Sequence, residues 1–368
     1  MSHARHWSRA ALVVLPLVSL LVLGAGAPPA AHADPACPAD GGASGAQYVV
    51  WVPGLLSSSL TGLQPGTLDA GNHQVRDEAA AIRDGLAAGL VPAPHFVYFS
   101  YGVARLVSAG EPPERAWLGD SYFRGEEPRY WPQDSSSYPL QAHVDALDWL
   151  VRGLVRCDPE ATVDVIGYSL GGVVALRWAA TADAAPDGPL AAVHRVIVVD
   201  SPVGGVNPAV LGAAARLAPP EVAYAFGTGA VVADLLPGGE AIRSLPAAVG
   251  RVDVASVENS RDYLVNGAPL PAEAGAGPNA WLARGAIITL HELEDSPDAY
   301  YVDMGTGMSF GPTLWDYVIG IHGAVLADPG ALQRLLDLLS TDGPLWQSRY
   351  PDAAQTPAAS AAPGGAPA

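Results

Sequence analysis

Residues 163–178, VDVIGYSLGGVVALRW, pass from a continuous β-branched run into an apolar helical run with only Gly167-Tyr168-Ser169-Leu170-Gly171-Gly172 between them. An apolar run interrupted only by Asp164 reads as a strand covered on both faces. A strand that turns straight into a helix sends the chain back over the sheet, so the next strand lies parallel to the first.

The same alternation recurs along the chain. Tyr48 to Val52 and Phe96 to Tyr101 (FVYFSY) read as strands flanking the helical stretch VRDEAAAIRDGLAAGL at 75–90. Between Leu140 and Val155, the residues Val144, Leu147, Leu150, Val151, Leu154 and Val155 form one helical stripe ahead of TVDVIG. HRVIVVD ends a strand at Asp200, RVDVASV ends one before Asn259, and either GAIITL or YYVDM supplies the last. DPGALQRLLDLL closes the pattern as a helix with Asp328 as N-cap and Pro329 in its first position. The expected fold is therefore α/β, a mostly parallel, doubly wound sheet. Two stretches depart from it, the irregular 102–138 and the apolar, Pro- and Gly-broken 203–250. Both leave the sheet where strands run into helices, the end at which such folds bind ligands, and both are expected to be lid or cap insertions.

At 368 residues, 49% hydrophobic and 15% charged, the chain can bury a large core, and one domain over 34–350 is expected. Residues 1–33 read as a secretory signal peptide. Arg5 and Arg9 precede the apolar run Ala11 to Leu23, and Ala31-His32-Ala33 offers an A-x-A cleavage site. The mature chain is then exported, and Cys37 and Cys157, its two cysteines, are expected to pair; two free thiols are the alternative. Residues 351–368, almost all Ala, Pro, Gly, Ser and Thr, read as a disordered tail.

All 19 basic residues are Arg, which excludes lysine-based chemistry: Schiff bases, phosphate-loop lysines and Ser-Lys pairs. A net charge of −18 argues against a nucleic-acid partner. Neither a metal-ligand spacing nor a dinucleotide fingerprint is present, so neither metal nor cofactor is expected; HELED at 291–295 lacks the second histidine of a zinc helix.

A serine hydroxyl is a weak nucleophile until it is exposed, held rigidly and given a base. A sharp strand-to-helix turn exposes and holds it, and crowds the places two residues to either side, where Gly167 and Gly171 stand. With these flanks the G-x-S-x-G match resembles the α/β-hydrolase superfamily, and within it the secreted lipases similar to lecithin:cholesterol acyltransferase. The likeness rests on VWVPGLLSSSL at 50–60, VDVIGYSLGGVVA at 163–175, VVDSPVGG at 198–205, VENSRDYLV at 257–265 and IHGAVLADP at 321–329.

The resemblance implies Ser169 as nucleophile, with an acid and then a histidine later in the chain. His322, just before the last helix, is the expected base and His291 the runner-up. Asp262, after a strand and the turn ENSR, is the expected acid, and Asp200, closing the preceding strand, is its rival. Asp164, inside a strand, reads as structural. The oxyanion hole is expected from the N–H groups of Leu170 and of Leu55 in VPGLL, where Pro53 replaces the histidine of many relatives. The implied activity is hydrolysis of small-molecule or lipid esters, with transient contact to a lipid surface. Acyl transfer by the same residues and non-catalytic lipid binding are the alternatives.

Overall fold

The computed structural model describes residues 37, 45–56, 81–110, 133–206, 208, 211–212, 229–259, 262, 287–290, 322–323, 325–326 and 328–341, all within the compact unit Ala33–Ala368. Six parallel strands form one sheet: β1 (Gln47–Val52), β2 (His95–Tyr98), β3 (Thr162–Tyr168), β4 (Val193–Val199), β5 (Asp253–Asn259) and β6 (Ile287–Leu290), in the order β2-β1-β3-β4-β5-β6. After β2 the chain crosses back over β1 to begin β3. Strand order therefore reverses between β1 and β3, and the crevice beyond their carboxyl ends is where such sheets place a ligand.

The strands are β-branched throughout because both faces are covered. Val50, Val52, Val163, Val165, Val196 and Val198 face one core with helix α2 (Tyr101–Ser108), helix α3 (Leu140–Cys157) and helix α4 (Leu170–Thr181). The alternate residues Val49, Trp51, Ile166, Tyr168, Ile197 and Val199 face the other core, with helix α1 (residues 81–89) and helix α5 (Pro329–Ser340). Each wholly buried side chain of this kind contributes about 1.5–3 kcal/mol, so the two-sided alternation fixes the register of every central strand.

The expected stripe on α3 is buried at Val144, Leu147, Leu150, Val151 and Leu154, with Val155 half-buried. At α5, the Asp328 carboxylate accepts from Ala331 N–H at 2.7 Å, as its place before Pro329 implied. The far end of α5 is held by Arg195, a fully buried cation on β4 that donates to the carbonyls of Leu338 and Thr341. A guanidinium there satisfies carbonyls that the helix itself leaves open. Asp164 is structural in its geometry: it is fully buried, accepts from Gln47 Nε2 at 2.8 Å and lies 3.5 Å from His194 Nδ1.

Two sequence expectations change. FVYFSY is a strand only through Tyr98, because the Ser100 hydroxyl accepts from Gly102 N–H and starts α2 at Tyr101. The stretch 102–138 is thus helical at both ends, with a second short helix at Asp134–Ser137. Of the two candidates for a last strand, GAIITL contains β6, and YYVDM lies outside the described residues. In 203–250 the described helices are Ala230–Asp234, Glu240–Ser244 and the 3-10 turn Leu245–Ala248. No described helix is long and apolar enough to cross a membrane.

Cys37 and Cys157 form a disulfide, with Cα atoms 5.2 Å apart. Beside it the Asp158 carboxylate accepts from the N–H groups of Gly45 and Ala46, both at 3.0 Å, fastening the start of β1 to the end of α3. The bridge spans 120 residues of sequence, so it removes much of the freedom of the unfolded chain. Replacing both cysteines by Ser should lower unfolding stability by about 2–5 kcal/mol, measured by urea titration of the two proteins. An unchanged midpoint would mean that the bridge constrains nothing the fold needs.

Candidate active site

Between the end of β3 at Tyr168 and the start of α4 at Leu170 stands a single residue, Ser169, at φ 52° and ψ −120°. A non-glycine residue in such a region costs about 1–3 kcal/mol, and its neighbours must hold it there. Ser169 N–H donates to Val199 O at 2.9 Å, and its carbonyl accepts from Gly172 N–H at 3.1 Å. The flanking glycines are required by space. A Cβ on Gly167 would overlap the Gly171 carbonyl, one on Gly171 the Val52 carbonyl oxygen, and one on Gly172 the Ser201 hydroxyl.

Among the described residues the non-glycine positions with positive φ are Leu56 (62°), Ser169 (52°) and Asp200 (44°). They follow the carboxyl ends of β1, β3 and β4, three neighbouring strands at the reversal of strand order. Strain gathered this way marks a functional site rather than scattered turns.

His322 and Asp262 come together there, 60 residues apart in sequence and both buried. His322 Nδ1 makes a direct hydrogen bond with the Asp262 carboxylate. Asp200, fully buried, keeps its Oδ2 3.8 Å from the same nitrogen and sends its backbone N–H to Val257 O at 2.8 Å. Of the two candidate acids, Asp262 therefore holds the imidazole and Asp200 stands behind it. The other ring nitrogen, Nε2, is buried without a hydrogen-bond partner among the described residues; no bond to Ser169 is made in this conformation. Ser169 itself is 8% exposed.

His322 does not lie in a plain loop, as the sequence suggested: His322 and Gly323 are helical, as are Val325 and Leu326, which are buried in the core under α5. His291 and Ser57 to Ser59 lie outside the described residues.

Tyr168 was not singled out by its sequence. It precedes Ser169, its ring stacks on the His322 imidazole with centroids 5.1 Å apart, and its hydroxyl donates to His322 O at 3.1 Å. The one signal for it was its place as the second residue of G-x-S-x-G.

The ligand atoms of Asp200, Asp262 and His322 all lie within 4.8 Å of one another, so a cation must be considered. The direct His322–Asp262 hydrogen bond leaves no gap for an ion between its partners, whereas two ligands about 2 Å from one metal stand further apart than that. The group fits an imidazole held by carboxylates better than a metal centre.

The loop after β1 supplies the other candidate donors. Leu170 is the first residue of α4, where the helix does not use its N–H. Leu56 N–H is taken by the Ser135 hydroxyl at 2.8 Å, so Leu55 is the candidate on this side, as the resemblance implied. The loop's first carbonyl, Pro53 O, accepts from the Tyr101 hydroxyl at 2.6 Å. Ser135 is placed by His143, whose Nε2 lies 3.1 Å from Ser135 O and whose ring meets the Tyr101 ring edge-on at 4.8 Å. Burial pushes the His143 imidazole down to about 4, so it is neutral near pH 7 and donates from Nε2 to that carbonyl.

The order of parallel strands, the reversal between β1 and β3 and the one-residue turn carrying Ser169 are those of the α/β-hydrolase fold. No family model and no curated protein sequence matches the chain. Among solved structures it is similar to lipase B of Aspergillus fumigatus, at 15% identity over 85% of this chain and 57% of that one, TM-score 0.46. The chain thus spans little more than half the length of that enzyme. It is also similar to the mature lipase BlEst2 of Bacillus licheniformis (15% identity, 80% and 96% covered, TM-score 0.34) and to the monoacylglycerol lipase of Paleococcus ferrophilus (14%, 74% and 96%, TM-score 0.33).

Two outcomes follow from this geometry. Gly171→Ala drives a Cβ into the Val52 carbonyl and should cost about 3 kcal/mol or more, while Gly204→Ala, with nothing within 4 Å, should leave thermal unfolding unchanged. Equal melting temperatures for the two variants would refute the close approach. His143 binds its proton in the unfolded chain near the ordinary 6.5 but in the fold only near 4, so stability is full above about pH 6.5 and declines as pH falls towards 4. The loss should reach about 3 kcal/mol and be flattened in His143→Gln, read by urea unfolding at pH 7 and pH 4.5.

Proposed function

We propose that this chain is a serine hydrolase of carboxylic esters that works through a covalent acyl-enzyme. The observation that carries the reading is the His322 imidazole: Nδ1 is bonded to buried Asp262, Nε2 is buried and unpartnered among the described residues, and the ring stacks on Tyr168, the residue before the strained Ser169. Held so, the ring has its free lone pair on Nε2, as a general base requires.

In the first half-reaction the Ser169 oxygen bonds to the acyl carbon as its proton passes to His322 Nε2. The carbonyl oxygen takes the negative charge and receives the N–H groups of Leu55 and Leu170. The carbon–oxygen bond to the alcohol then breaks, and the alcohol leaves with the proton from Nε2. Water repeats the sequence on the acyl group, giving its proton to Nε2, and the acid departs as Ser169 recovers its own. Asp262 orients the ring and stabilises its cation throughout.

The apolar insertion 203–250, together with the resemblance to lipases similar to lecithin:cholesterol acyltransferase, supports a lipid-like acyl group met at a lipid surface. The signal-like residues 1–33 and the Cys37–Cys157 bridge support export to an oxidising compartment. An alcohol in place of water would turn the same steps to acyl transfer.

The test is hydrolysis of p-nitrophenyl esters of increasing chain length by the chain from Asp34 onward, with and without an added alcohol. Turnover should fall on the order of 10⁴-fold or more in Ser169→Ala. Asp262→Asn should lose on the order of 10⁴-fold and Asp200→Asn far less. A folded protein with neither turnover nor reaction with a fluorophosphonate would overturn the reading.

A further inference from the structure

We propose that Tyr101 and Ser135, steadied by His143, are positioning residues that aim the Leu55 N–H at the oxyanion. The inference rests on the ester-hydrolase reading and deepens it. The turn Pro53-Gly54-Leu55-Leu56 is held at both ends by side chains from elsewhere: the Tyr101 hydroxyl donates to Pro53 O, and Leu56 N–H donates to the Ser135 hydroxyl. The first bond fixes the peptide plane between Pro53 and Gly54, and the second fixes the plane between Leu55 and Leu56. The plane between them, Gly54 to Leu55, carries the Leu55 N–H. Its direction is set by two clamped neighbours, with no bond of its own among the described residues.

Three observations show that the clamps hold a conformation the turn would not choose. Leu56, a bulky non-glycine residue, sits at φ 62°, which it would leave if Ser135 released its N–H. Tyr101, Ser135 and His143 are all completely buried, where a lost hydrogen bond is not replaced by water. Gly54 has no slack either: a Cβ there would stand 3.1 Å from both the Ser169 Cβ and the Tyr168 ring, so the turn is pressed against the residue it serves.

The clamps also come from outside the sheet. Tyr101 is on α2, His143 on α3, and Ser135 on the short helix between them, inside the 102–138 insertion. His143 joins the set by donating to Ser135 O and packing against the Tyr101 ring, so the two clamps cannot move independently. A group aimed by preset neighbours needs no reorganisation when charge develops on the substrate, which is what makes an oxyanion donor effective.

The experiment removes one hydroxyl at a time, in Ser135→Ala and Tyr101→Phe, and measures kcat and KM on a short p-nitrophenyl ester, with active sites counted by fluorophosphonate. A trifluoromethyl ketone of matching chain length, which forms a tetrahedral adduct with the serine, is titrated alongside. For each variant kcat per active site should fall about 10- to 100-fold with KM within about twofold. The ketone should lose affinity by the same factor, and the double variant should lose less than the product of the two. A lower melting temperature with unchanged kcat per active site would overturn the proposal and leave these residues as packing. Should Ser135→Ala fail to fold, Tyr101→Phe at the opposite clamp decides by the same measures. Wild-type protein without Ser169-dependent turnover would overturn the hydrolase reading and this inference together; wild-type turnover matched by both variants would overturn the inference alone.

Discussion

The approach of Gly171 to the carbonyl of Val52 sets the geometry on which the rest of the site depends. With no side chain at 171, α4 starts one residue after β3 ends and runs directly over the end of β1. That contact falls at the reversal of strand order, where the helices that follow β1 and β3 pack on opposite faces of the sheet. It leaves Ser169 no room for an ordinary turn, and the residue is driven to positive φ with its side chain out of both strand and helix. The two cores on either side of the sheet hold the strands in register and so prevent the strain from relaxing.

Much of this was legible because it is local. The change from β-branched run to helical run placed β3 and α4, the pair Asp328-Pro329 placed the start of α5, and the glycine spacing located Ser169. Each of these depends on residues within a turn of one another, which is the range over which sequence pattern acts directly. The partners of His322 were legible only as a choice. Asp200 and Asp262 each close a neighbouring strand, and two parallel strands end at the same height, so sequence order could not decide which carboxylate would meet the ring. The structure gives the hydrogen bond to Asp262 and keeps Asp200 at 3.8 Å.

What sequence pattern could not show was long-range. Tyr168, Tyr101 and Ser135 are ordinary aromatic and polar residues in their own segments, and their meaning comes from atoms 48 to 154 residues away. FVYFSY shows the same limit at short range. Its aromatic run favours a strand, but one hydroxyl at Ser100 caps a helix and the strand stops early. Arg195 makes the complementary point. A charge inside a β-branched run argues against burial, until the carbonyls at the end of α5 are brought to it by the fold.

In the proposed reaction Ser169 and His322 must keep their separation to a fraction of an ångström although 152 residues of chain lie between them. Here the separation is not left to the loops. Tyr168 is covalently next to the serine, and through its ring and its hydroxyl it also holds the histidine, ring to ring and hydroxyl to carbonyl. Any shift of β3 that moved the serine would therefore carry the imidazole with it. The loop after β1 is tied to the same residue from the other side, since Gly54 packs on both Tyr168 and Ser169. Ser169, His322 and the Pro53-Gly54-Leu55 loop are thus referred to the end of one strand. The segments that deliver them can then differ in length and route without changing the distances that matter at the reacting atoms.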